Sequence, residues 1–301
     1  NGFRYVMMQN SKPEDRVSMH LVVDAGSFHE TEDQRGAAHF LEHLLFSGTA
    51  HFPAGELVKY FQRIGMEFGP DVNGRTGFFE TVYDLDLPAG DRDSLDEGML
   101  VMSDYAARAL LKQEQVVQER SVILAEKRTR DSPDYRTFEA TMEFEFPHAR
   151  ISQRLPIGIE PVIRNTNREL LKNFYDKWYR PERLTLIMVG DFSPETAETL
   201  IRKHFSGLEA RAPRKPVPGF GKVGHEGIAA FYHHESEAGN TRVTIETIAK
   251  QPLPVDSAAY QRSRLLAEMA NRIVQHRLNA LLNQPDTPFS DEIGRASCRE
   301  R

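Results

Sequence analysis

The sequence predicts an α+β fold: a mostly antiparallel sheet flanked by helices, followed by the start of a second, similar domain. Three patterns carry that expectation. Short β-rich runs are separated by amphipathic stretches with the helical period. In 79–87, Phe79, Thr81, Tyr83, Leu85 and Leu87 alternate with Glu80, Val82, Asp84 and Asp86, which is a strand with one polar face. The opening order of two β-rich runs and a helix also returns late in the chain. Runs at 229–233 and 242–248 each lie 225 residues beyond runs at 4–8 and 17–23.

Taken in order, runs 4–8 and 17–23 flank the turn-rich Ser11-Lys12-Pro13-Glu14-Asp15, which predicts a hairpin. Thr31 and Gln34 have capping-box spacing ahead of an apolar-periodic helix over 37–46, closed by Gly48. A second helix spans 55–64 and ends at Gly65. Helices over 95–111 and 114–130 follow the strand at 79–87. Thr166 and Glu169 cap another helix that runs through Trp178, with Pro181 as its stop. The apolar run 184–189 has the length of a buried strand, and Ser193-Pro194 opens a helix that Gly207 closes. Pro213, Pro216 and Pro218, set among basic residues, mark a linker, and a long amphipathic helix over 257–283 completes the repeat.

The expected domains are therefore 1–210, a proline-rich linker over 211–220 and a truncated second domain over 221–291. Residues 292–301 read EIGRASCRER, the translation of a common sequencing adapter, and are expected to be foreign to the fold. That tail holds Cys298, the sole cysteine. The chain opens Asn1-Gly2-Phe3 without Met and reads as the front piece of a longer protein.

Composition narrows the function. A chain of 301 residues with 40% hydrophobic content has the make-up of a globular protein of one large or two medium domains. No apolar run reaches the ~18 residues that a membrane-spanning helix needs. The net charge of −6 argues against nucleic acid as the main partner. One cysteine can form neither an intramolecular disulfide nor a thiolate zinc cluster, so any metal must be held by His, Asp or Glu.

The chemistry concentrates on the helix over 37–46, which carries His39-Phe40-Leu41-Glu42-His43. Residues three and four apart share a helix face, so His39, Glu42 and His43 converge while Phe40, Leu41, Leu44 and Leu45 anchor the helix. Two imidazoles one turn apart form a bidentate grip for zinc, with the carboxylate beside the open coordination position. H-x-x-E-H reverses the more familiar H-E-x-x-H. A third ligand has to come from elsewhere. The helix over 114–130 offers Glu119 and Glu126 on one face, with Val116, Val122, Ile123 and Leu124 expected on its buried side. Spacing leaves both glutamates, and Glu114, open. Asn73-Gly74 by itself reads as a turn.

The segment Gly36-Ala37-Ala38-His39-Phe40-Leu41-Glu42-His43-Leu44-Leu45-Phe46, with Gly48-Thr49 behind it, resembles the zinc motif of the pitrilysin family, the inverzincins. That family includes insulin-degrading enzyme, mitochondrial processing peptidase and bacterial periplasmic zinc proteases. The resemblance runs from about residue 2 to 208 and is strongest to the bacterial periplasmic-type members. It includes Asp71-Val72-Asn73, Glu80-Thr81-Val82-Tyr83, Arg154-Leu155-Pro156-Ile157-Gly158 and Trp178-Tyr179-Arg180-Pro181. It implies a zinc-dependent metalloendopeptidase of peptides or unfolded proteins, with one Zn²⁺ on His39, His43 and Glu126. Glu42 is then the general base that activates water, and Glu119 a supporting acid. Asn73 and Gly74 lie on an edge strand that pairs with an extended substrate. The 83 residues between His43 and Glu126 exceed the family's usual gap by several, which places an insertion near 89–93.

The resemblance also implies that a C-terminal half, or a partner subunit, completes the substrate chamber, so this chain alone is expected to bind zinc but cleave poorly. Two other readings are a non-catalytic pitrilysin-like partner subunit and a zinc-stabilised binding module with four protein ligands. A serine or cysteine hydrolase has no G-x-S-x-G elbow to build on. His20, His51, His148, His204, His233 and His234 lack ligand spacing with an acidic partner and read as surface or core residues. The late helix offers only His276, so the second unit is expected to be metal-free. The likeness to bacterial members gives a lean to the periplasm.

Overall fold

A computed structural model describes residues 1–222, 227–248, 254–282, 284 and 287. Five strands form one sheet in the order β1-β5-β2-β4-β3: β1 (Arg4–Gln9), β2 (Val17–Val23), β3 (Val72–Thr76), β4 (Thr81–Leu87) and β5 (Leu184–Gly190). β2 pairs antiparallel with β4 and β5, as β3 does with β4, whereas β1 runs parallel to β5. The sheet is thus mixed, with antiparallel pairing in the majority. The expected hairpin between the first two runs is replaced by β5, which inserts between them and pairs Val17 with Gly190 and Arg4 with Thr185.

β2 and β5 alternate buried and half-buried residues, so Val17, Met19, Leu21 and Val23 face the core beside Leu184, Leu186 and Met188. Two helices, α1 (Ala37–Ser47) and α2 (Glu56–Arg63), separate β2 from β3. α3 (Arg92–Ala107) and α4 (Gln113–Arg130) follow β4, then come α5 (Pro133–Glu145), α6 (Glu160–Asn165), α7 (Arg168–Trp178) and α8 (Pro194–Phe205). α3 packs on β4 and α8, and α1 packs on α4, α7 and β3. α1 is buried nearly all round, and Phe40, Leu41, Leu44 and Leu45 are fully so, which fixes its register within the core by packing.

Several local expectations change. The Thr31–Gln34 box opens a one-turn 3₁₀ segment, and α1 itself starts behind Gly36, whose φ of 103° ends the turn. Asn167, not Thr166, caps α7 by accepting the Leu170 N–H. α3 ends at Ala107 because Arg108 leaves helical geometry. Val122 lies on the solvent side of α4 at 46% exposure, while Val116, Ile123 and Leu124 are buried. The sequence reading has no counterpart for α5 or α6.

The described chain divides into two compact units, 1–245 and 246–301. The proline-rich segment does not hang free but runs along the first unit. Arg211 lies 4.2 Å over the Tyr175 ring and binds Asp176, Phe220 packs on Phe28 and Phe79, and Gly221 bridges to Ala149. The β-rich runs at 229–233 and 242–248 form no strand among the described residues, and Val243 and Ile245 are almost fully exposed. In the second unit the described secondary structure is α9 (Ala258–Leu282), with Leu265, Leu266, Met269 and Ile273 exposed. Asn283 and the segment 292–301, with Cys298, lie outside the described residues.

Candidate metal centre

α1 places His39, Glu42 and His43 on one face, against the flank of α4. His39 and His43 stand edge to face with centroids 4.8 Å apart. Oε2 of Glu126 lies 3.5 Å from His39 Nε2 and 3.4 Å from His43 Nε2. One ligand atom from each of the three residues falls within 4.8 Å of the others, the only such group of three metal-ligating side chains among the described residues. A tetrahedral ion with bonds of about 2.0–2.2 Å holds its ligands about 3.3–3.6 Å apart, so the two distances from Glu126 to the imidazoles and the N, N, O chemistry fit a zinc-like divalent ion.

The flanking contacts show how the donors are aimed. Glu119, seven residues before Glu126 on α4, puts Oε2 3.3 Å from His43 Nδ1 and accepts the Ser47 hydroxyl at 2.9 Å through Oε1. His43 therefore presents Nε2 to the centre while its other nitrogen is held. His39 has no such support: its Nδ1 is buried without a hydrogen-bond partner among the described residues. Arg130, one turn beyond Glu126, donates to Oε1 and leaves Oε2 facing the imidazoles. Gln115 donates to the Ser47 carbonyl at the end of α1. Gln115, Glu119 and Glu126 thus make α4 a brace along α1.

Electrostatics match the geometry. Burial, then the neighbouring His43, lowers His39 to about 4, so its imidazole is neutral near pH 7 and keeps a lone pair to offer. Burial also pulls on His43, but the Glu119 hydrogen bond and the charges of Glu42 and Glu126 outweigh it and move His43 upward. Burial raises Glu42, against the opposing hydrogen bond from Thr76. Glu119 ends below its ordinary value because its bonds to His43 and Ser47 overcome its burial.

Asn73 and Gly74 lie on β3, which forms one edge of the sheet, with Asn73 exposed. Gly74 abuts Glu42. A Cβ there would sit 2.9 Å from Glu42 Cγ and Oε1 and from the Phe46 ring. A cavity of about 660 Å³ opens beside the centre between Phe46, Val58, Phe68, Val72, Gln118 and Glu119. Glu114, left open by spacing, is not in the ligand group. Four of the six histidines read as surface or core residues do find acidic partners: His20 with Asp84, His51 with Asp104, His204 with Asp96 and His233 with Glu235. In each pair the acid also binds a basic side chain, Arg75, Arg108, Lys203 or Arg136. The first three pairs are tertiary and invisible to sequence spacing, whereas His233 and Glu235 are only two residues apart. The sequence reading gives no role to Thr76, Ser47 or Arg130. Arg130 had a signal in its i, i+4 spacing from Glu126, while Thr76 and Ser47 had none.

These features define an α+β domain of pitrilysin type, whose H-x-x-E-H helix shares a three-donor group with a later helix. Family models agree: "Insulinase (Peptidase family M16)" matches residues 5–147 and "Peptidase M16 inactive domain" matches residues 165–269. The chain belongs to peptidase family M16. It is 32% identical over 291 residues to "Zinc protease PQQL-like" of Arabidopsis thaliana, covering 96% of this chain and 30% of that one. With "Probable zinc protease PqqL" of Escherichia coli it shares 34% identity over 210 residues, covering 70% of this chain and 23% of that one. The crystal structure of the first half of the periplasmic protease PqqL from Escherichia coli superposes with a TM-score of 0.68 at 33% identity, covering 72% of this chain and 47% of that one. The chain thus spans less than a third of the length of these two curated relatives. No helix among the described residues is long and apolar enough to cross a membrane.

Proposed function

We propose that this chain carries the metal centre of a zinc-dependent endopeptidase that hydrolyses peptides or unfolded proteins. The observation that carries the reading is the convergence of His39 Nε2, His43 Nε2 and Glu126 Oε2, with Glu42 one residue before His43. His39, His43 and Glu126 hold one Zn²⁺, and Glu119 steers His43 through Nδ1. Bound zinc supplies a Lewis acid that polarises the scissile carbonyl and acidifies water. Glu42 accepts a proton from the attacking water at its carboxylate and passes it to the departing amine nitrogen. The open edge of β3, at Asn73 and Gly74, pairs with the backbone of an extended substrate, which selects for unfolded chain.

In this reading residues 1–210 form the catalytic domain, and a second, metal-free unit begins near 221. A C-terminal half or a partner subunit completes the substrate chamber. The periplasmic relative supports a periplasmic location. The test uses the full-length protein. Glu42→Gln is expected to abolish peptide hydrolysis while one zinc per chain is retained, and His39→Ala or His43→Ala to lose both. Parental hydrolysis by Glu42→Gln overturns the reading.

A further inference from the structure

We propose that Thr76 is a positioning residue that ties Glu42 to the edge strand, a role that rests on Glu42 being the general base. Along β3, Asn73 and Arg75 face solvent while Gly74 and Thr76 turn towards α1. The Thr76 hydroxyl donates to Glu42 Oε2 at 2.5 Å, the short end of a charge-assisted hydrogen bond. On the other side of the carboxylate, the Gly74 backbone lies so close that a methyl group would meet Cγ and Oε1 at 2.9 Å. Among the described residues Thr76 is the only hydrogen-bond donor to the Glu42 side chain.

α1 therefore supplies the base, but β3 sets the plane of its carboxylate. The metal donors come from α1 and α4, whereas the frame of the base comes from the strand on which the peptide is proposed to dock. A peptide added to that edge is thereby in register with the carboxylate that must receive and return the proton. Such alignment acts on the chemical step, since small misplacements of a reacting group cost rate more than binding.

The experiment compares Thr76→Val, which keeps the shape and removes the hydroxyl, with Thr76→Ser, which keeps the hydroxyl, in the zinc-loaded full-length protein. A hydrogen bond to a charged group accounts for a loss in kcat of about 10- to 100-fold in Thr76→Val. KM should stay within about twofold, because only the transition state uses the alignment. Zinc content should stay at one per chain, and Thr76→Ser should return to within about threefold of the parent. Combined with Glu42→Gln, Thr76→Val should cost nothing more, since the group it orients is already disabled. Gly74→Ala approaches from the opposite side and should lower kcat with zinc retained, so the idea does not depend on one variant folding. Parental kcat in Thr76→Val, beside an inactive Glu42→Gln, overturns the tether and leaves the endopeptidase reading intact. Loss of zinc with the hydroxyl also overturns it, and an active Glu42→Gln removes the base assignment itself.

Discussion

Glu119 shows how unequal the two imidazoles of the centre are. His43 is held at both nitrogens, with Glu119 at Nδ1 and Glu126 at Nε2, and Glu119 is itself fixed by Ser47. His39 is held only from Glu126, with its Nδ1 buried and unpartnered among the described residues. Packing orients His39, and a hydrogen bond orients His43. Removing the partner of a ligating histidine typically costs about 10- to 100-fold in metal affinity. Glu119→Ala is therefore expected to weaken zinc binding by about that factor, read by competition with a chromophoric chelator. Ser47→Ala should cost less, because it loosens Glu119 without removing it. An unchanged affinity in Glu119→Ala would show that His43 is aimed by packing alone.

α1 depends on a residue outside it. Glu30 is fully buried and caps the helix with both oxygens, accepting the Gly36 N–H through Oε2 and the Ala38 N–H through Oε1, each at 2.9 Å. Burial raises Glu30 to about 8 from an ordinary 4.5, against the pull of those amides and of Arg154 and Arg35. Between these values the folded chain holds a proton that the unfolded chain has released, so stability falls as pH rises from about 4.5 to about 8. His29 and His39, both lowered to about 4, act oppositely, and their contribution is lost as pH drops below about 6.5. His43, raised above 6.5, adds a decline of the same sign as Glu30. The informative window is therefore about 6.5 to 8, with parent and Glu30→Gln compared metal-free by urea denaturation. The parent is expected to lose about 1–2 kcal/mol more than the variant across it. Equal slopes would place Glu30 as an anion throughout. The sequence made α1 legible because its three functional side chains share one turn-to-turn face, a local property. The capping glutamate, the Thr76 contact and the choice of Glu126 over Glu119 are tertiary, and only resemblance pointed to Glu126. The first hairpin failed for the same reason: β5 arrives from about 160 residues away to sit between β1 and β2, a pairing no local pattern carries. α5 did announce itself, since Ser132-Pro133 is the same start signal as Ser193-Pro194.

The centre also ties distant parts of the first unit together. α1 and α4 are separated in sequence by α2, β3, β4 and α3, and they meet through Gln115, Glu119 and Glu126. Without an ion, that junction gathers two histidines and three glutamates in a half-buried space, where unpaired charge is costly. The three donors converge only in the folded chain, so an ion bound there draws the equilibrium towards folding by mass action. At a free zinc concentration of about a hundred times Kd the gain is about 2.7 kcal/mol. For a unit of this size that corresponds to roughly 5–10 °C in Tm. Chelation of the full-length protein is thus expected to lower the melting transition of the first unit by that amount. Hydrogen exchange should quicken first along α1 and α4, the two elements that carry the three donors. His43→Ala should melt at the chelated temperature with or without zinc, which separates the effect of the ion from any effect of the chelator. If the parent loses its zinc with no change in Tm, the two helices are locked by their own packing, and the ion contributes chemistry without holding the fold.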